Sequence, residues 1–236
     1  MAVTALKFSS ENEEARAEMR RRGIDCTNSW FTGMLRKYGV LPGMNVGDLK
    51  KSWDVLMTTV FLERNLSLDQ PILDIGAFRS EILPILRRLD FTDLTGIDLD
   101  PNILRMPGAD SIRYQVADCY STSFADGAFA AVTAISVLEH GFNRERLLAE
   151  LARIIRPGGF FIASVDYWPE KIDTSGIEVY GMDWTIFSRE DVLTFIADAA
   201  RVGFSPVGEI NLRSEERTVA WMGNEFTFAW LSLRKN

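Results

Sequence analysis

Apolar and polar positions along the chain fall into two alternating patterns. Short apolar runs bounded by turn residues, Ile72-Leu73-Asp74-Ile75, Leu94 to Ile97 and Phe129 to Ile135, predict buried parallel strands. Between and after them come stretches with apolar residues at three- and four-residue steps, the mark of amphipathic helices. The clearest are Ser80 to Leu89 with Ile82, Leu83, Ile85, Leu86 and Leu89, the stretch after Asn143 with Leu147, Leu148, Leu151, Ile154 and Ile155, and the stretch after Ser188-Arg-Glu-Asp191 with Val192, Phe195, Ile196 and Ala199. Asn143 and Ser188 read as N-caps, Pro157-Gly158-Gly159 and Gly203 as the ends. Pro84 sits in the first turn of its helix, where a missing backbone donor costs least. Further strands are predicted at Ile112 to Ala117, Phe160 to Val165, Phe204 to Leu212 and Asn224 to Leu233. Strands alternating with helices predict an α/β fold with a mostly parallel sheet.

Before the first strand the pattern is helical. Ser10-Glu-Asn-Glu13 has capping-box spacing, and its helix carries acids first and Arg20, Arg21 and Arg22 last, before Gly23. Trp30, Phe31, Met34, Leu35 and Tyr38 precede a bend at Leu-Pro42-Gly43. A second helix is expected from Asp48, with Leu49, Trp53, Leu56, Met57, Val60 and Phe61 on the face toward the sheet. This divides the chain into a helical lead-in or lid over 1–66 and a ligand-binding domain over 67–236.

The pivotal stretch is Ile72 to Glu81, a strand, a tight turn at Gly76 and a helix start. In open α/β sheets ligands bind at such strand ends. About 20 residues farther on a second strand ends in Asp98, the spacing at which a carboxylate meets a ribose diol. A dinucleotide fingerprint needs G-x-G-x-x-G, and only Gly76 is present, Phe78 and Ser80 standing where further glycines would be. A nucleoside without phosphates suits this turn.

With these residues in place the chain resembles a class I S-adenosylmethionine (SAM) methyltransferase of the type 11 kind. LDIGAFRSE at 73–81 resembles the family's first motif and GIDLDP at 96–101 its ribose-binding motif. VADCY at 116–120 resembles the adenine-binding strand end, and 129–141 with 154–164 the fourth and fifth strands. The resemblance implies a Rossmann-like fold: a seven-stranded, mostly parallel sheet with an antiparallel last strand and helices on both faces. It implies SAM as cofactor, with Asp74, Gly76, Ala77, Phe78, Asp98, Leu99, Ala117, Asp118, Cys119, Ser136 and Trp53 around it, Lys50 and Ser52 being further candidates. Asp98 would accept from the ribose, Asp118 from the adenine amino group.

Bulk properties narrow the acceptor. A net charge of −7 and a pI near 4.9 work against a nucleic-acid partner, which needs clustered Lys and Arg, and favour a small molecule. No apolar run reaches membrane-spanning length and no signal-like segment opens the chain, so a cytoplasmic protein is expected. Two cysteines, Cys26 and Cys119, and one histidine leave no disulfide framework and no expected metal site. The long segment Asp166 to Ser188, rich in aromatics and charge, is the expected substrate loop. Its WPEKID and WTIFS resemble methyltransferases of bacterial sugar and cell-surface polysaccharide biosynthesis, which implies a saccharide hydroxyl; an amine acceptor is the other choice. His140 is the candidate general base. With Asp166, Tyr167, Trp168 and Trp184 it makes up the candidate substrate contacts, while Glu170 is a weaker base candidate. The competing functions are a nicotinamide-dependent oxidoreductase, which shares strand, turn and ribose acid, and a catalytically silent nucleoside-binding module.

Overall fold

A computed structural model describes residues 3–27, 33–35, 38, 40, 44–141 and 143–236. Trp30, Phe31, Pro42 and Gly43, named above, lie outside the described residues.

The parallel core comprises β2 (Ile72–Ile75), β3 (Leu94–Asp98), β4 (Arg113–Val116), β5 (Phe129–Ile135) and β6 (Ile155–Tyr167). The chain steps outward from β2 to β3 to β4, then returns to place β5 on the other side of β2, which makes the β2/β5 seam the topological switch point. Beyond β6 the long β12 (Asn224–Lys235) runs antiparallel to its second part, from Phe160 to Tyr167. The sheet is ten-stranded rather than seven-stranded. The expected closing strand at 204–212 breaks at Val207-Gly208 into β9 (Phe204–Pro206) and β10 (Ile210–Asn211). β1 (Val3–Ala5) and β11 (Val219–Trp221) both pair with β12, and β10 pairs with β1. A two-stranded hairpin, β7 (Glu178–Val179) and β8 (Met182–Asp183), stands apart.

Helices α1 (Ser9–Arg21), α2 (Ser52–Asn65) and α3 (Ile82–Arg88) bury their residues in one cluster; α4 (Arg144–Ile154) and α5 (Arg189–Arg201) bury theirs in the other. Strand residues divide by parity: Phe161, Ala163, Val165 and Tyr167 join the α4/α5 cluster, Phe160 and Ile162 the α1–α3 cluster. Asn143 and Ser188 cap α4 and α5 as expected, the latter in a reciprocal box with Asp191.

Three local expectations are corrected. The box at Ser10/Glu13 gives way to Glu11, whose Oε2 accepts from the backbone N–H of Lys7 (2.8 Å) and Phe8 (3.0 Å) one turn earlier. Helix α4 ends at Ile154 and the chain enters β6 at once, so Pro157-Gly158-Gly159 lies within the strand, past a register shift against β5. On α2 the buried positions are Ser52, Trp53, Asp54, Val55, Thr58, Thr59 and Leu62. The polar ones tolerate burial because each is bonded: Thr58 Oγ1 accepts from Trp230 Nε1 at 2.9 Å, and Asp54 Oδ2 accepts from Ser164 Oγ at 2.6 Å. Leu49, expected to be buried, is 54% exposed.

Candidate functional site

The Gly76 turn is built for close approach. Gly76 has φ +72°, and a Cβ there would stand 2.4 Å from Cγ2 of Val137, on the segment that follows β5. No side chain fits, so this glycine closes the switch point. Its N–H and that of Ala77 both donate to the Ile97 carbonyl (2.9 and 3.0 Å), which fastens the turn to β3. Where the family pattern has glycines, Phe78 packs half-buried on the core, Arg79 takes the left-handed conformation (φ 64°), and Ser80 Oγ accepts from Ile82 N at 3.2 Å at the start of α3. The missing glycines are thus replaced by one strained arginine and one capping serine.

Asp98 links the next two tips. Its Oδ2 accepts from Phe78 N at 3.0 Å and its Oδ1 from Asp100 N at 2.9 Å, while its carbonyl accepts from Ala117 N at 3.0 Å. Each carboxylate oxygen keeps a second lone pair. Leu99 beside it is 63% exposed, an uncovered apolar platform. Asp118 lies at the neighbouring tip with Oδ1 accepting from Tyr120 N at 2.8 Å. Cys119 is half-buried, and burial pushes its thiol up to about 11, so it lines the site as an unreactive wall. Asp74 is buried beneath the turn, where Oδ1 accepts from Thr133 Oγ1 at 2.6 Å on β5; burial raises its carboxyl to about 7. The residues expected at a phosphate-free nucleoside therefore do share one edge, from Gly76 through Asp98 to Asp118, and the glycine cradle, the flanking acids and the open platform fit adenosine.

Trp53 is different. It is buried in the α1–α3 cluster, its backbone N donating to Asn12 Oδ1 at 2.9 Å. Lys50 is exposed, and Ser52 Oγ is occupied by Arg16 Nε and the Leu49 carbonyl. The side chain this segment sends toward the strand ends is Lys51.

A second group of polar side chains gathers around the ends of β5 and β6. Ser136 closes β5 in a left-handed conformation (φ 52°), an uncommon state for a residue with a Cβ. Glu139 is 1% exposed, and among the described residues neither carboxyl oxygen has a hydrogen-bond partner, nor do the buried Ser136 Oγ and His140 Nδ1. Asp166 is buried, its Oδ2 accepting from Trp184 Nε1 at 2.8 Å. Burial, then the Asp166 charge, pushes Glu139 well above the usual carboxylate range; burial likewise raises Asp166, and raises Asp54 to about 6. Burial would lower Lys51, but the charges of Glu139, Asp166, Asp54 and Asp48 outweigh it and hold the ammonium protonated. Burial, with Lys51 adding, drops His140 to about 4, so its imidazole is neutral.

The aromatic loop covers this group. Thr185 N donates to the Glu139 carbonyl (2.9 Å) and Gly141 N to the Asp183 carbonyl (2.8 Å). The β7–β8 hairpin turns at Tyr180 and Gly181, both with positive φ, and sets the Tyr180 ring edge-on to His140 at 5.4 Å. Trp184 is a wall of the compartment, buried against Trp221 and Phe226. Two expected contacts fall elsewhere. Tyr167 points to the other face of the sheet, fully buried, its hydroxyl donating to the Leu212 carbonyl at 2.7 Å. Trp168 lies under the Arg217 guanidinium at 4.5 Å. Glu170 is exposed. Hollows of about 520 Å³ along Leu104 to Gln115 and about 480 Å³ beside Arg189 lie off both groups.

Sequence reasoning passed over Lys51, Asp54, Ser164 and the carboxyl of Glu139. Only Glu139 had a signal, its place beside His140 after a central strand; Lys51 precedes α2, Asp54 lies on α2 and Ser164 on β6, and only the fold brings them together.

Comparison with known proteins bears on the fold that carries these residues. Residues 73–163 match a family model described as a methyltransferase domain. The chain is 30% identical over 124 residues to EEF1A lysine methyltransferase 2 of Danio rerio, covering 46% of this chain and 53% of that protein. It spans about half the length, or less, of the curated relatives it matches. Among solved structures, the (4+2)-cyclase SpnF superposes with a TM-score of 0.59 at 17% identity, over 86% of this chain and 92% of that one. A SAM-dependent methyltransferase from Mesorhizobium loti gives 0.54 at 18% identity, over 75% and 96%. The fold is the Rossmann-like fold of the methyltransferases.

Proposed function

We propose that this chain, which carries a class I methyltransferase domain over residues 73–163, transfers a methyl group from SAM to a hydroxyl or amine of a small molecule. The observation that carries the reading is the pair of acids at adjacent strand tips beside the Gly76 turn. In it Asp98 accepts from the ribose diol and Asp118 from the adenine amino group, with Leu99 and Cys119 against the base. Asp74, Gly76, Ala77, Phe78 and Ser136 border the methionine end, which directs the sulfonium toward Glu139 and His140.

When bound, SAM supplies a methyl group already activated by positive charge. The protein's task is to align the nucleophile, a contribution of ~7–11 kcal/mol. Glu139 and His140 Nδ1, both unpartnered, are the groups free to take the acceptor's proton. The acceptor enters under the aromatic loop, and Asp166 and Trp184 bound its space; the saccharide resemblance of that loop makes a sugar derivative the first class to test. Among the described residues no helix is long and apolar enough to cross a membrane, which supports the cytoplasmic assignment as part of this proposal.

The altered glycine turn, with Phe78 and Ser80 where the family pattern has glycines, favours one other reading, nucleoside binding without methyl transfer. Thermal shift with SAM, its demethylated product S-adenosylhomocysteine (SAH) and NAD tests the binding. Stabilisation by the first two alone is expected, and stabilisation by NAD alone would overturn it. Methyl release with a sugar and amine panel then separates enzyme from silent binder.

A further inference from the structure

The compartment behind Ser136 has a charge problem that the fold does not solve. Three carboxyls, Glu139, Asp166 and Asp54, lie within electrostatic reach of one lysine. Asp54 is satisfied within the fold by Ser164 Oγ and the Val55 N–H, and Asp166 holds the Trp184 indole. Among the described residues no other residue donates to the Glu139 carboxyl. Lys51 does not close the account: among the described residues no carboxylate comes within 4.0 Å of its ammonium, which sits 5.3 Å from the centre of the Phe228 ring. A side chain so buried with two bare oxygens is rare in a folded protein and is completed by something that enters. Among the described residues no three His, Cys, Asp or Glu side chains converge as metal ligands. What the two oxygens lack is a hydrogen-bond donor. A hydroxyl satisfies one oxygen and leaves the carboxyl neutral; an ammonium satisfies both oxygens and supplies the positive charge that draws Glu139 into its ionised form.

We propose that Glu139, with Asp166 behind it, is an ammonium-binding subsite, so that the methyl acceptor is an amine and Glu139 takes its proton. This rests on the proposed methyl transfer and narrows its acceptor. The bound ammonium gives one proton to the Glu139 carboxylate. The freed nitrogen lone pair attacks the sulfonium methyl of SAM; the N–C bond forms as the C–S bond breaks, and that bond's electrons stay on sulfur. The products are a methylated ammonium, neutral SAH and protonated Glu139, with charge conserved. The displaced burial equilibrium of Glu139 suits it to hold that proton better than His140, whose imidazole burial has made a weak base. Tyr180 and Trp184 add ring faces and edges around the cation's path.

The test uses matched probes, cyclohexylamine against cyclohexanol and glucosamine against glucose, titrated by calorimetry into the full chain both free and loaded with SAH. The amine of each pair binds more tightly, and Glu139→Gln, which keeps the shape and removes the charge, lowers amine affinity about ten-fold or more while leaving the alcohols unchanged, the loss of a charge-assisted hydrogen bond. Equal or better binding of the alcohols, or an amine preference that survives in Glu139→Gln, overturns the subsite. SAH affinity is read in the same titrations. Absent SAH binding beside an intact amine preference overturns the methyltransferase reading, and with it the amine's role as methyl acceptor, while leaving the ammonium subsite standing, so the two failures are distinguishable.

Discussion

Asp98 carries two duties. It anchors the glycine turn through Phe78 N and Asp100 N, and in the proposed function it receives the ribose. Alanine removes both duties, so the informative change is Asp98→Asn, which keeps one carbonyl oxygen and loses the charge. SAM affinity should fall by roughly ten- to a hundred-fold, the worth of one charged hydrogen bond, with a smaller drop in melting temperature than alanine gives, since the amide keeps one of the two backbone anchors. Unchanged affinity in calorimetry would remove Asp98 from the site. His140→Ala is the second residue-scale test: with methyl transfer to an amine it should leave SAM affinity intact and slow turnover less than Glu139→Gln does. A larger loss at His140 would return the proton to the imidazole. Side-chain identity made Asp98, Asp118 and His140 legible in the sequence, because strand end, acid and spacing are all local. Tyr167 was misjudged for an equally local reason: aromatic richness says nothing of which face a strand residue takes, and the parity of β6 puts Asp166 toward Trp184 and Tyr167 toward Leu212.

At the scale of elements, the lead-in is tied to the cofactor turn by charge. Arg16 of α1 is 5% exposed and forks onto Glu81 (2.9 and 2.7 Å), the residue that opens α3, while also reaching Asp25 at 2.9 Å. Gly47 completes the latch, its N–H donating to the Arg79 carbonyl at 2.9 Å. Burial keeps the Glu81 carboxyl above its ordinary value despite Arg16, so the pair's net gain is small, yet breaking it strands a buried charge. Arg16→Met should therefore cost ~3–5 kcal/mol in urea unfolding, and adding Glu81→Gln should recover most of it. No loss in the single variant would show the latch to be idle. The central strands and the caps of α4 and α5 were legible because apolar runs and Ser/Asn caps depend on near neighbours. The buried face of α2 was legible in part: Trp53 is buried and Leu56, Met57 and Phe61 pack on the same cluster, whereas burial of Asp54 and Thr58 depends on Ser164 and Trp230, far along the chain. The extra strands β1 and β11 were invisible for the same cause, since three residues acquire a ladder only when β12 lies beside them.

For the whole molecule, the buried acids govern how stability follows pH. Asp54 and Asp74 titrate near 6 and 7 in the fold, with Glu139 and Asp166 also raised, against about 4 in an unfolded chain. Between about pH 5 and 7 the folded state thus binds more protons than the unfolded one, and stability must fall as pH rises. His140 works in the opposite sense over the same window, since it stays neutral in the fold down to about 4, but it is one group against four. Glu150, lowered to about 2 chiefly by its bond to Arg153, contributes stability that is lost only as pH falls below ~4. Thermal melts without ligand should therefore peak near pH 5 and decline toward pH 7. A melting temperature highest at pH 7 or above would mean that the compartment is hydrated and its carboxyls ordinary.

The most direct test of the account is an experimental structure of the chain with SAH. The account places the ribose diol on Asp98, the adenine between Leu99 and Cys119 with its amino group at Asp118, and the sulfur facing Glu139 and His140 across Ser136. A nucleoside bound anywhere else, or a sulfur turned away from Glu139, would contradict it.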